Sequence, residues 1–371
     1  MGGRHSTPQL PPDQQLPAAT TLFDVDAVVP PLSELFDADV SDVRIRYIDY
    51  EPGRALTVQY DARSAAVTSL RVEAFACTQG DGWDLHAYPH DLALPLLSAD
   101  GRQLAEVLEI ESGDCQVTRL AWVPQRRAVL RCGQIVVKLY GDPAELSCAE
   151  GALRAVGGAL RTAALITSRP DLGAVVQQAL GGRTLGRDDV IGSASGAAAV
   201  LRQLHTSTLG DLADLRPAQL LAAANRPAAL AAFALPHLAE RILALVQRLG
   251  ATMPEAADVV PVHGDFNVGQ LLVDGDDTWV IDVDTLAQGS PSVDLAAYAA
   301  NVHNGRPADG DDMNVALATL IDAYGQAPDD LMWHLATTML RRVDRPIRRM
   351  KKRWPERTTS IVSAIEVMVN Q

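Results

Sequence analysis

Val260-Pro261-Val262-His263-Gly264-Asp265-Phe266-Asn267-Val268-Gly269-Gln270-Leu271-Leu272-Val273 sets two apolar runs around a polar loop holding one carboxylate and two amides. The amides, Asn267 and Gln270, stand two and five places after Asp265. Nine residues beyond Val273 comes Asp282, inside Trp279-Val280-Ile281-Asp282-Val283-Asp284, another strand-like run that ends in carboxylates. Strands joined as hairpins bring Asp265, Gln270 and Asp282 to one edge. Oxygen donors grouped this way suit a hard cation such as magnesium, which takes one or two carboxylates together with phosphate oxygens.

Outward from this stretch the chain changes texture. Residues 193–206, 217–248, 292–303, 313–325, 328–343 and 357–369 are rich in Ala and Leu at helical spacing. Before residue 182 the pattern is mostly of strands. Residues 43–60 read as a hairpin turning at Glu51-Pro52-Gly53, and 117–132 as a second hairpin. Gln134–Tyr140 and Ala174–Leu180 read as strands around a helix at 143–160. Strands segregated from helices predict an α+β protein of two lobes with a crevice between them. Residues 117–132 also align without gaps on 45–60, with Tyr50 on Trp122, Pro52 on Pro124 and Arg54 on Arg126. The earlier hairpin is therefore either a degenerate duplicate of half a lobe or a second hairpin that shares turn chemistry.

Composition bounds the function. Hydrophobic residues are 47% and charged residues 21% of the 371, as in a folded soluble domain. A net charge of −14 argues against a general nucleic-acid binder, which needs a positive field to replace counterions. The four cysteines form no CxxC pair, and free thiols are expected. The first twenty residues lack the apolar core of a signal peptide, and no apolar run approaches the ~20 residues of a membrane span. These features lead to an expected cytoplasmic location with no membrane partner.

HGDFNVGQLLV followed by VIDVDTLAQGSPSVDLA resembles the catalytic and metal loops of the aminoglycoside phosphotransferase and choline kinase superfamily. The GQ wording is similar to its maltokinase and glucosamine kinase branches. The resemblance implies a bilobal protein-kinase-like fold, here with an extra N-terminal β-rich cap. The expected division is a mobile tail over 1–21, the cap over 22–112, a kinase N-lobe over 113–182 and a helical C-lobe over 183–371. It implies a kinase that uses ATP and Mg2+ to phosphorylate a hydroxyl of a small molecule: an aminoglycoside, a sugar or amino sugar, or a choline-like alcohol. Asp265 would be the catalytic base, Gln270 and Asp282 the metal ligands, and Asp294 a tie behind the catalytic loop. Lys138 would meet the nucleotide phosphates and Glu150 would position that lysine, with Glu145 as the competitor. Backbone groups near Gln178 and Leu180 would meet the adenine. The sequence departs from the family in two places: Gln270 stands where Asn is usual, and the turn Pro124-Gln125-Arg126-Arg127 replaces a Gly-rich loop. Those departures leave a catalytically silent, nucleotide- or partner-binding pseudokinase as the alternative.

Three further features have plain readings. His263 is expected to pack in its loop and bond the backbone. Asp309, Asp311 and Asp312 form an acidic loop that would either line a pocket for an aminated substrate or stay exposed. The basic run 341–357 is expected to be a solvated helical face, with docking of an anionic partner or another subunit as the alternative.

Overall fold

The computed structural model describes residues 10–64, 71–79, 82–110, 115–255, 259–275, 277–306 and 309–370. The chain begins with helices α1 (Ala18–Phe23) and α2 (Val25–Leu35). An antiparallel sheet of β1 (Val40–Glu51), β2 (Ala55–Ser64), β3 (Arg71–Thr78) and β4 (Asp84–Ala87) follows, in that order across the sheet. Tyr50, Leu56, Val58 and Tyr60 alternate along the hairpin and are buried with Leu22, Val28 and Leu32 of the two helices. Helix α3 (Gly101–Leu108) leads to the second sheet.

That sheet has five strands in the order β5 (Val117–Val123), β6 (Arg127–Cys132), β7 (Ile135–Tyr140), β9 (Ala174–Gln178), β8 (Leu165–Arg169). One face packs Trp122, Leu130, Val137 and Val176 against Leu104 and Leu108 of α3 and Phe75 of the first sheet. The other face takes α4 (Pro143–Val156) through Leu146, Ala149 and Leu153. Cys115 and Cys132 are joined in a disulfide, with Cα atoms 5.5 Å apart. This corrects the expectation of four free thiols: the β5–β6 register sets Val117 opposite Cys132 and so brings the two cysteines together. Cys77 and Cys148 remain free.

The C-lobe is helical. It comprises β10 (Arg183–Thr184), α5 (Ala194–His205), α6 (Pro217–Ala223), α7 (Asn225–Ala234) and α8 (Ala239–Ala251). Next come β11 (Val260–Val262), β12 (Leu271–Asp274), β13 (Asp277–Val280) and β14 (Ala287–Gly289). Helices α9 (Ser292–Ala300), α10 (Asp309–Tyr324), α11 (Leu331–Leu340), α12 (Arg345–Arg348) and α13 (Trp354–Val369) complete it. β11 pairs with β14, and β12 pairs with β13, so the two short hairpin-like ladders present the loops after β11 and β13 side by side. Among the described residues, no helix is long and apolar enough to cross a membrane.

Two expectations change on contact with the structure. Residues 10–21 are no mobile tail: Leu16, Ala18 and Ala19 are buried, and the Asp13 carboxylate accepts bonds from the Tyr50 hydroxyl (2.7 Å) and the Gly53 amide (2.7 Å). A Pro- and Gln-rich segment is held here because one buried carboxylate caps the hairpin turn. Residues 1–9 lie outside the described residues. The cap also reaches both lobes. Glu73 of β3 pairs with Arg119 of β5 through two bonds of 2.6 and 2.9 Å. Asp49 of β1 lies 2.8 Å from Arg226 at the start of α7, 3.7 Å from Arg348 of α12 and 3.8 Å from Arg126 in the β5–β6 turn.

The hairpin likeness has a structural counterpart. Tyr50 faces Leu56 and Ile45 faces Tyr60 in the cap; Trp122 faces Ala128 and Val117 faces Cys132 in the second sheet. Asp91 caps the second turn as Asp13 caps the first, accepting from Trp122 Nε1 (3.1 Å) and the Gln125 amide (2.8 Å). Each aspartate sits in the same wording, Pro11-Pro12-Asp13-Gln14-Gln15-Leu16-Pro17 and Pro89-His90-Asp91-Leu92-Ala93-Leu94-Pro95.

Candidate active site

The loop after β11 is drawn tight by Asp294 at the start of α9. Its buried carboxylate accepts the His263 amide (2.7 Å) on one oxygen and the Gly264 amide (2.9 Å) on the other. His205 Nε2 lies 3.1 Å from the same carboxylate, so the tie is itself fixed from α5. Gly264 has φ 86°, and a Cβ there would run into the Thr285 carbonyl; only glycine fits this close crossing. His263 is fully buried and its Nε2 meets the Ile281 carbonyl at 3.1 Å, a packing role across the two loops. Thr285 Oγ1 donates to the His263 carbonyl (2.8 Å) and locks the loop after β13 beside it.

Asp265 emerges from this rigid base with its side chain half exposed. Its Oδ1 accepts Arg342 Nη2 at 2.6 Å. Arg342 follows α11 and is anchored by a bond from its other amino group to the Ala297 carbonyl. The sequence reading missed this partner, which lies 77 residues downstream in a basic run taken as solvated.

Across the crevice, Lys138 of β7 is buried and its Nζ donates to Asp282 Oδ1 (2.8 Å) and Asp284 Oδ1 (2.6 Å). Burial opposes the ammonium charge, but the two carboxylates outweigh it and raise the lysine pKa above its ordinary value. Burial would likewise raise Asp282, yet the charge and bond of Lys138 hold it down at about 2. Asp282 sits at φ 63°, a left-handed conformation uncommon for aspartate, which aims its carboxylate into the crevice. Asp284 Oδ2 accepts the Tyr140 hydroxyl at 2.6 Å. Asp284 is a largely buried member of this cluster.

Other expected site residues sit differently. Glu150 does not meet Lys138: it accepts from Arg154 (2.7 Å), one turn along α4, and from Ser168 (2.9 Å) of β8. Lys138 finds its anions on the opposite lobe instead. Glu145 is likewise turned away, to Arg126. Gln178 spends its amide on the Ala164 carbonyl (2.9 Å) and Ala179 its amide on the Gln134 carbonyl (2.8 Å). Gln270 is buried and its Oε1 accepts the Asn267 amide at 3.0 Å, while its carbonyl holds the Ile281 amide next to Asp282. The acidic loop is not a substrate wall: Asp309 is buried, receiving Arg187 (2.6 Å) and the amides of Asn304 and Arg306. The basic run is not a plain solvated face, since Arg341, Arg342, Arg345 and Arg348 are partly buried.

Asp282 and Asp284, with Gln270 nearby and its Oε1 engaged by the Asn267 amide, are the residues here that could hold a hard cation such as magnesium. Among the described residues no group of three or more His, Cys, Asp or Glu forms a metal cage, so a cation here would complete its shell with phosphate oxygens and water.

A family model described as the phosphotransferase enzyme family matches residues 139–334, more than half of the chain. The chain belongs to that phosphotransferase family. The match starts just after Lys138, so the cap and the first hairpin of the second sheet lie outside it. The phosphotransferase is similar in fold to a choline/ethanolamine kinase family protein from Mesorhizobium loti, with TM-score 0.53 and 15% identity over 73% of this chain and 93% of that one. The choline kinase LicA from Streptococcus pneumoniae gives TM-score 0.53 and 13% identity over 72% and 97%. The gentamicin complex of APH(2")-IIa gives 0.50 and 12% over 71% and 94%. No curated protein matches the sequence. At these identities the likeness establishes the bilobal kinase-like fold, with the cap as an addition to it.

Proposed function

We propose that this phosphotransferase moves the γ-phosphoryl group of ATP to a hydroxyl of a small molecule, with Asp265 as the base. The observation that carries the reading is the pairing across the crevice: a buried lysine from the sheet lobe meets two carboxylates from the helical lobe, beside a rigidly held loop with a half-exposed aspartate. Transfer of a phosphoryl group asks mainly for positioning and charge neutralisation, and both are built here. Lys138 faces the nucleotide phosphates and Leu180 the adenine. Asp282 and Asp284, with Gln270 beside them, would hold magnesium, which when bound would neutralise phosphate charge. Arg127, exposed in the β5–β6 turn near Asp282, stands in for the missing Gly-rich loop. Asp265 orients the attacking hydroxyl and takes its proton, and Arg342 keeps that carboxylate aimed.

Asp265→Asn should leave folding and ATP binding near wild type and lower turnover by at least ~10²-fold. Near-normal turnover of the purified variant would sink the assignment. A silent nucleotide binder draws support from Glu150, which stands away from Lys138. ADP release that depends on an added acceptor excludes it; nucleotide binding without turnover on any acceptor establishes it.

A further inference from the structure

We propose that the acceptor is a small hydroxylated phosphate monoester, its phosphate held in an arginine-lined cleft that shares Arg342 with Asp265. This rests on the phosphotransfer reading and names the substrate class for the same site. The cleft encloses about 280 Å³ between the loop after α9, α12 and the start of α13. Arg306, Arg342, Arg345, Arg349, Lys351 and Arg357 line it, and no carboxylate does. Arg342 is the joint: it borders the cleft and bonds Asp265 at 2.6 Å, so one side chain connects a ligand seated there with the base.

The charge arithmetic sets this wall apart from the rest of the molecule, whose net charge is −14. Arg187, also at the cleft, is neutralised by Asp309 and Asp312, and Arg342 by Asp265. Among the described residues Arg306, Arg345, Arg349, Lys351 and Arg357 have no carboxylate partner. Arg345 and Arg357 are instead held by neutral oxygens, Asn301 Oδ1 (3.1 Å) and the Asn304 carbonyl (3.2 Å), which fix their direction and bring no bonded carboxylate. Burial together with repulsion from Arg349 and Arg342 drives Arg345 down to about 10 against the pull of Asp265 and Asp344, and burial with Arg349 and Arg357 lowers Lys351. Five cations without a bonded carboxylate repel one another across the cleft, and an anion relieves that repulsion.

A phosphate fits this wall better than a carboxylate. It brings up to two negative charges and three acceptor oxygens, which several guanidinium forks bind together. The volume suits a ligand of about monosaccharide size. The same wall repels aminated or quaternary-ammonium acceptors.

Two measurements test this, on the full chain. Titration calorimetry with glucose 6-phosphate and with glucose should show binding of the phosphorylated compound only. That binding should weaken at least ~10-fold in Arg349→Gln and in Lys351→Gln and persist in Asp265→Asn. Both substituted side chains are exposed in the cleft, so the fold is not at risk. ADP release with Mg-ATP should then be faster with phosphorylated sugars than with their parent sugars, glucosamine or choline. Glucose 6-phosphate binding that is absent, or unaffected by Arg349→Gln, overturns the proposal, as does faster turnover of glucosamine or choline that ignores Arg349→Gln. Anion binding lost in Arg349→Gln, with no ADP release from any acceptor, brings down the phosphotransfer reading and the acceptor with it, while the anion site stands.

Discussion

In the cap, Asp13 accepts the Tyr50 hydroxyl and the Gly53 amide; in the N-lobe, Asp91 accepts the Trp122 indole and the Gln125 amide. Both turn residues have positive φ, 77° at Gly53 and 61° at Gln125. Each unit thus solves the same problem, a tight turn whose amide must be satisfied where water is scarce, with the same buried carboxylate. The units part at the third strand. Val129 of β6 faces Lys138 of β7, whereas Thr57, the matching position of β2, faces Cys77 of β3. After β7 the chain crosses over by α4, while after β3 it turns straight back into β4. The shared turn geometry carries, in one unit, a buried lysine that meets carboxylates of the opposite lobe. In the other it serves as a brace, with Asp49 gathering arginines from both lobes.

The largest effect should separate the two third strands. Lys138→Met should lower turnover by about 10²-fold or more, since it removes the only protein cation bonded to Asp282 and Asp284 among the described residues. Cys77→Ser, at the matching register, should stay within about twofold of wild type. Steady-state ADP release measures both, and comparable losses would show that the cap takes part in the chemistry.

A second comparison concerns the shared turn. Asp13→Ala strands four donors and Asp91→Ala three, and each should destabilise the protein by about 2–3 kcal/mol in denaturant unfolding. Only Asp91→Ala should also raise the KM for ATP, because its turn leads into Arg127 at the start of β6, whose charge acts on Asp282. A raised KM in Asp13→Ala as well would mean that the brace shapes the nucleotide site. Deletion of residues 1–24 should resemble Asp13→Ala or exceed it, since Leu16, Ala19 and Leu22 would leave the core with it.

Where the chemistry depends on neighbours in the chain, the sequence was readable. Lys138 in an apolar run, the hairpins and the order of Asp265, Asp282 and Asp294 all follow from local pattern. Three features depend on contacts between distant segments. Arg342 reaches Asp265 because α11 ends against the catalytic loop, and no spacing in the basic run announces it. Glu150 lies on the expected helix, but that helix turns its carboxylate toward β8. Asp13 stands in a segment whose composition reads as disorder, and its meaning comes from Tyr50, 37 residues away. Charge at 341–357 read as solvated because helical periodicity does not reveal what covers a face.

The smallest expected effect concerns the seam between cap and C-lobe. Asp344 is 4% exposed, with Arg348 Nε 3.9 Å from its carboxylate. Burial, with Asp49 nearby adding to it and Arg226 opposing, pushes its pKa up to about 7. An unfolded aspartate titrates near 3.9, so between about pH 4 and pH 7 the folded state binds the extra proton. Stability therefore falls as pH rises through that window and levels off above it, the reverse of Asp282, whose pKa of about 2 confers stability that is lost only in acid. Asp344→Asn removes the charge and keeps the size of the side chain. Its melting temperature should exceed wild type by about 3 °C at pH 8 and match it near pH 4. A lower melting temperature for Asp344→Asn at pH 8 would show that Arg226 and Arg348 hold Asp344 ionised, and that ion pairing, rather than burial, governs this seam as it does the Glu73–Arg119 seam on the other side of the cap.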